Sequence, residues 1–278
     1  MILKKLSILR YITIPRFIHK LKILFKLYTT FNYKVYFKKN EKNKFQDEKN
    51  EIDEIFILGS SKSILHLSEK QKNYINKSKS VGMNRYLLFW EDVGIWPQYF
   101  FFHDFKFSFL ETKFHDLIQK LLNTNKPYPI FIGPKTFRFS MPRWYKSIFY
   151  KSFLNRNKNF AENLNQEIFF YHGSLTALLN IIIIKKLAKK IILVGNTLNT
   201  NGYFFEESYI KKYGYLPDYD EFNRPHSTYV KINDVNILTN FNIIKKKLIE
   251  NGIKLYCVEK ESEFYRKNFC ELYNFKEI

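Results

Sequence analysis

The chain has 278 residues, 45% of them hydrophobic and 19% aromatic, with two cysteines and a formal net charge of +20. That length fits one large domain or a medium domain with an appended segment, and so apolar a composition excludes a wholly disordered chain. Cys257 and Cys270 lack CxxC spacing and cannot staple a fold of this size, so they read as reduced thiols in a cytosolic protein.

The charge is unevenly placed. Residues 1–40 hold ten Lys or Arg and no Asp or Glu, which puts half of the excess in one-seventh of the chain. Lys outnumbers Arg 38 to 8, and Ile, Asn, Phe and Tyr are abundant too. All five residues have A/T-rich codons, so the charge alone is no nucleic-acid signature.

Cations interrupt the apolar residues of this arm every few positions, so it has neither the ~20-residue run of a spanning helix nor the core of a signal peptide. From Pro15 onward a helical period puts Phe17, Ile18, Leu21, Leu24, Phe25 and Tyr28 on one face, flanked by Lys20, Lys22 and Lys26. That is the composition of a helix lying on an anionic membrane surface. A helix packed on its own domain is the alternative. Residues 41–53 are polar, mixed in charge and read as a linker.

The domain is expected over 54–278. Strands are predicted at 54–59, 80–83, 99–103, 129–133, 168–171, 190–195 and 253–258, and helices at 107–123, 173–189 and 233–251. Residues 134–166 carry no clear signal. Residues 196–228 lack a sustained apolar period and read as a long excursion, with the character of a lid at about 196–230. Strands alternating with helices predict an α/β, Rossmann-like, doubly wound and mainly parallel sheet. Ligands of such sheets lie beyond the carboxyl ends of the strands. The residues there are Gly59–Ser63, Asn84–Arg85, His103–Asp104, Gly133, 172–174 and 196–203.

Ser60, Ser61 and Ser63 follow Gly59 as they would in a turn that offers amides and hydroxyls to a phosphate, but the segment is neither a Walker A loop nor GxGxxG. Asp218 and Asp220 have the D-x-D form that can hold Mg²⁺ or Mn²⁺ on a diphosphate, although they follow Pro217 in an irregular segment. The six histidines show no zinc spacing. His226, followed by Ser227 just ahead of a predicted helix, is a candidate general base. Asp104 and His172 are its rivals, and a plain surface histidine is the bland alternative.

In this order, the pieces resemble the bacterial sialyltransferases of glycosyltransferase family forty-two over roughly residues 54–261. Gly59–Ser63 is similar to that family's first-strand loop, and Asn84 in GMNRY to its donor-binding Asn. His172-Gly173, with Ser174 next, matches the Ser-Gly before its long apolar helix. Gly195 and Tyr203 match a strand-end Gly and the second of two phosphate-binding tyrosines. His226-Ser227 and Lys254-Leu255-Tyr256-Cys257 match its catalytic His-Ser and a later strand. Asn199 stands where the first tyrosine would be, and His103 where the family has another donor-binding Asn.

The resemblance implies a metal-independent, inverting glycosyltransferase that needs no cofactor. It would move a nonulosonate, sialic acid or a Kdo-like sugar, from a CMP-activated donor to a surface-glycan or glycolipid acceptor. Tyr203 would donate to the leaving phosphate, and His226 would deprotonate the acceptor. Gly59, Ser60, Ser61, Asn84, His103, Gly173, Ser174, Gly195 and Asn199 would surround the donor. The expected setting is cytoplasmic, on the inner face of the membrane, without a nucleic-acid partner. A homo-oligomer is compatible with this reading. The rival readings are another nucleotide-sugar or phosphate-handling enzyme, and a non-enzymatic RNA- or membrane-surface-binding module. Arg138, Phe139, Arg143, Trp144, Tyr145 and Lys146 would suit single-stranded RNA, but no RRM, KH or OB signature is present.

Overall fold

The computed structural model describes residues 53–103, 112–135, 145–151, 159–171, 173–198, 202–217, 237–239 and 241–275. The arm at 1–40 lies outside the described residues. Among them runs one eight-stranded sheet in the order β5-β4-β3-β2-β1-β6-β7-β8. The strands are β1 Glu54–Leu58, β2 Lys79–Met83, β3 Tyr99–Phe101, β4 Ile130–Pro134, β5 Ser147–Tyr150, β6 Lys190–Val194, β7 Lys254–Cys257 and β8 Glu271–Leu272.

Every neighbouring pair is parallel. The chain winds outward from β1 to β5, crosses back, and winds the other way from β6 to β8. This is the doubly wound arrangement that the alternation of elements predicts, with its topological switch point between β1 and β6.

Parallel strands buried on both faces read as unbroken apolar runs, and the two-residue period then sorts side chains between two cores. Phe56, Leu58, Ile192 and Val194 face one core. Ile55, Ile57, Ile191 and Leu193 face the other. The first core takes in Ile75 of helix Glu69–Lys77, Leu117 and Leu121 of helix Thr112–Asn123, and Tyr209 of helix Glu206–Tyr213. The second takes in helix Ser174–Lys185, helix Phe241–Glu250 and Phe264 of the short helix Glu263–Arg266. Residues 175–183 are buried without a break. That helix therefore has no polar face to show, and Lys186, in the left-handed region at φ 49°, ends it.

Several elements depart from the sequence expectation. No strand forms at 168–171. The N–H groups of Phe169 and Tyr171 go instead to the side chains of Asn180 (2.9 Å) and Thr176 (3.0 Å), so most of the segment is pinned to a helix in place of a strand ladder. At its start, Glu167 forms an isolated parallel bridge with Lys151, and Ile168 N–H donates to Lys151 O at 3.3 Å. β5 arises in the stretch without a clear signal, and β8 near the end of the chain was not foreseen. Inside the supposedly featureless excursion, Glu206–Tyr213 forms a helix, closed by Gly214 in the left-handed region at φ 79°. No helix among the described residues is long and apolar enough to cross a membrane.

Candidate functional site

The switch point is built by close approach of two strand ends. Gly59 donates its N–H to Val194 O at 2.7 Å, and Ser61 donates to Gly195 O at 2.9 Å. A Cβ on Gly59 would lie 2.3 Å from Gly195 O and 2.5 Å from Asn196 Oδ1, so only glycine lets β1 and β6 come this near. Gly195 turns the chain away from β6 in the left-handed region at φ 65°. Asn196 completes the lacing, donating from Nδ2 to Ile57 O at 2.9 Å and Val194 O at 3.0 Å.

The excursion folds back onto this edge. Ser61 and Tyr203 form an antiparallel bridge. Phe204 N–H reaches Ser60 O at 2.9 Å, Lys62 N–H reaches Gly202 O at 3.3 Å, and Lys62 pairs with Glu206. Tyr203 stacks flat on Phe205, centroids 5.0 Å apart. The first loop and Tyr203 are thus held side by side. The same bonds narrow one part of that expectation. The amides of Gly59, Ser61 and Lys62 are spent on β6 and the excursion, and Ser63 N–H goes to Ser61 Oγ at 3.3 Å. Ligand binding by this loop would therefore fall chiefly to hydroxyls.

A second group sits further along the edge. Asn84, at the end of β2, adopts the left-handed region at φ 50°. Its Oδ1 accepts from His103 N–H at 3.1 Å, and its Nδ2 donates to Ser174 Oγ at 3.0 Å. Ser174 opens helix Ser174–Lys185 behind Gly173. Thr176 braces that helix start, its Oγ1 accepting from Tyr171 N–H at 3.0 Å and donating to Gly173 O at 2.8 Å. Asn84, His103, Gly173 and Ser174 are therefore one connected cluster.

The His103 ring has a different occupation from its backbone. It is 2% exposed, stacks on Phe170 at 4.6 Å, and places Nδ1 2.6 Å from the Tyr150 hydroxyl. Burial pushes its pKa down to about 3, so the imidazole is neutral at physiological pH. The phenol of Tyr150 keeps its proton, since burial raises its pKa well above the ordinary value. The same hydroxyl lies 3.3 Å from Phe102 O, so its single proton serves either that carbonyl or Nδ1, and the ring tautomer follows that choice. His103 contributes its N–H to Asn84 and its ring to the second core. Tyr150 lies on β5, so sequence reasoning that missed that strand also missed this partner.

Glu259, just past β7, is the least expected member of the edge. It is 8% exposed, yet no salt bridge reaches it among the described residues. Its Oε1 accepts from Gly195 N–H at 2.5 Å and Ser63 Oγ at 3.1 Å, while Oε2 has no hydrogen-bond partner among the described residues. Burial raises its pKa, more than these two bonds lower it. From Ser63 a chain of hydroxyls continues to Ser61 Oγ at 3.2 Å and from there to Thr197 Oγ1 at 2.9 Å. A glutamate following a strand end was the signal available in the sequence.

Asn199, His226, Asp104, His172, Asp218 and Asp220 lie outside the described residues. Among the described residues no group of three or more His, Cys, Asp or Glu is placed to hold a metal ion. Compared with family models, with curated proteins and with solved structures, the chain finds no match.

Proposed function

We propose that the chain is a glycosyltransferase that moves a nonulosonate from a CMP-activated donor to a hydroxyl of a surface-glycan or glycolipid acceptor. The observation that carries this reading is the antiparallel bridge of Ser61 with Tyr203 at the switch point of a doubly wound sheet. It sets a phenol and a row of hydroxyls beside the place where such sheets bind nucleotides. The cluster of Asn84 and Ser174 lies along the same carboxyl edge to take the rest of the donor.

A CMP leaving group bears a single phosphate, which hydroxyl donors can stabilise without a metal ion. Tyr203 donates to that phosphate as the glycosidic bond breaks, where negative charge develops. His226 takes the proton of the acceptor hydroxyl on the opposite face, which inverts the anomeric centre in one displacement. The basic arm at 1–40 holds the enzyme on the inner face of the cytoplasmic membrane, where a lipid-linked acceptor lies.

The test is a comparison of ligands by thermal shift and calorimetry. CMP is expected to raise the melting temperature and to bind in preference to UDP, GDP and a short single-stranded RNA. Binding of RNA with no response to CMP would overturn the reading in favour of a binding module. Preference for UDP or GDP would keep a nucleotide-sugar enzyme but replace the donor.

A further inference from the structure

Glu259 has no task in the chemistry above, and its surroundings are unusual for a carboxylate. Among the described residues this deeply buried carboxyl has no cation beside it and one oxygen unpartnered, so burial works against its ionised form and raises its pKa. The groups that face it relieve the charge only in part, and burial outweighs them. From the first loop, Lys62 is engaged with Glu206 and Ser63 gives a hydroxyl; from the turn after β6 comes the Gly195 N–H. From the segment leading to helix Glu263–Arg266, Glu261 adds charge of the same sign, and Glu263 is paired with Arg266. Ahead of β8, the Cys270 thiol is held protonated by its contact with Cys257. Cys257 itself donates to the Glu259 carbonyl at 3.5 Å.

The position matters as much as the burial. Ser63 Oγ lies 3.1 Å from Glu259 Oε1 and 3.2 Å from Ser61 Oγ, so two hydrogen bonds separate the carboxyl from the residue that pairs with Tyr203. An anion beside Tyr203 and a charged Glu259 would repel each other through protein and not through water. At roughly 8 Å and an effective dielectric of about 20, that repulsion weakens binding by on the order of tenfold or more.

We infer that anion binding at the Ser61–Tyr203 edge is linked to proton uptake by Glu259, so that this buried carboxyl makes the site pH-sensitive. The inference rests on the proposed phosphate site, and it adds a group that touches neither phosphate nor sugar. Glu259 acts as a positioning residue through Ser63 and Gly195, and its charge sets how strongly the edge attracts an anion. Binding and protonation favour each other by the same factor, since linkage is reciprocal.

The test uses the full-length protein and two probes, CMP and sulfate, the latter because it does not titrate between pH 5 and 9. Affinity for each is measured across that range for wild type and Glu259→Gln. Wild type is expected to lose on the order of tenfold in sulfate affinity as pH rises, while Glu259→Gln stays flat at the tighter limit. Calorimetry of wild type in two buffers of different ionisation enthalpy reads the proton directly, and needs no variant to fold. Up to one proton taken up per sulfate supports the linkage.

Equal pH profiles for the two proteins, or no proton uptake, overturn it. If CMP binds both proteins with the same profile, the phosphate site stands and the linkage falls. If only sulfate binds, with a pH dependence that Glu259→Gln abolishes, the linkage stands and the CMP reading falls. Absence of binding by either anion overturns the inference together with the site.

Discussion

Ser61 and Tyr203 face each other across an antiparallel bridge in a protein whose sheet is otherwise parallel throughout the described residues. The bridge closes the long excursion after β6 back onto the loop after β1. It puts two hydroxyl-bearing side chains at the one place where the strand order reverses. That placement, and no single motif, is why the switch point reads as a site.

The first prediction concerns how tightly that place is built. Gly59→Ala would set a methyl group 2.3 Å from Gly195 O, a backbone atom that cannot rotate away. Overpacking of this kind costs about 1–3 kcal/mol, and the strand ends must part to absorb it. Urea denaturation is expected to show that loss, together with weaker CMP binding. Gly94→Ala is the comparison: nothing lies within 4 Å of its added Cβ, although φ 83° strains the backbone there as well. If Gly59→Ala proves no more destabilising than Gly94→Ala, the two strand ends are not as closely apposed as described.

Much of this fold was legible because buried parallel strands leave a plain trace. Glu54–Leu58, Tyr99–Phe101 and Lys190–Val194 are apolar runs with no alternation, and each was placed to within two residues. β5 and β8 were not legible. Ser147–Tyr150 is a four-residue edge strand inside a basic, aromatic stretch, and Glu271–Leu272 is only two residues long. The opposite failure occurred at 168–171. Its apolar residues are buried like a strand's, but Asn180 and Thr176, distant in type from any strand signal, capture its amides. At the candidate site, Gly59, Asn84 and Tyr203 were expected from strand ends and resemblance. Glu259 was not, because its importance comes from burial without a counterion, which a sequence does not display.

Asn180 supplies a second prediction, on stability alone. It is fully buried in helix Ser174–Lys185, accepting from Ala161 N–H at 3.1 Å and Phe169 N–H at 2.9 Å and donating to Ala161 O at 2.9 Å. Asn180→Leu keeps the volume but strands three buried backbone groups, at about 1–3 kcal/mol apiece when left unsatisfied. A loss of about 3 kcal/mol or more is expected in urea, with faster amide exchange at Ala161 and Phe169. Wild-type stability in the variant would mean that residues 161–169 are held by packing and not by this side chain.

His103 gives a pH dependence with a definite sign. Burial holds its pKa at about 3, below the ordinary ~6.5 of an unfolded histidine. Between those values the unfolded chain binds a proton that the folded chain does not, so this residue's contribution is complete above pH ~6.5 and is lost as pH falls below it. Between pH 7.5 and pH 5.0 the wild type is expected to lose ~2 kcal/mol more than His103→Gln. The measurement is urea unfolding of both proteins at the two pH values. Parallel losses would show that the imidazole charges freely, and that it is not sealed between Phe170 and Tyr150.

The last prediction is that His226 is the general base. The proposed displacement has two ends, and Tyr203, bridged to Ser61, is assigned by that proposal to the leaving-group end. A base must then serve the acceptor hydroxyl from the far side of the sugar, so it has to come from a segment other than the first loop. His226 belongs to the excursion that brings Tyr203 back to the edge, although it lies outside the described residues itself. An ordinary imidazole titrates near ~6.5 and is mostly an available base at neutral pH. A positioned base contributes ~10²–10⁴-fold, so His226→Ala is expected to cut kcat by about that factor while leaving CMP affinity nearly unchanged, because the base contacts the acceptor and not the nucleotide. His115→Ala, in helix Thr112–Asn123, is expected to be nearly silent. Asp104→Asn is the decisive companion. If it abolishes turnover while His226→Ala does not, the carboxylate after β3 takes the proton, and the excursion supplies only the phosphate's partner.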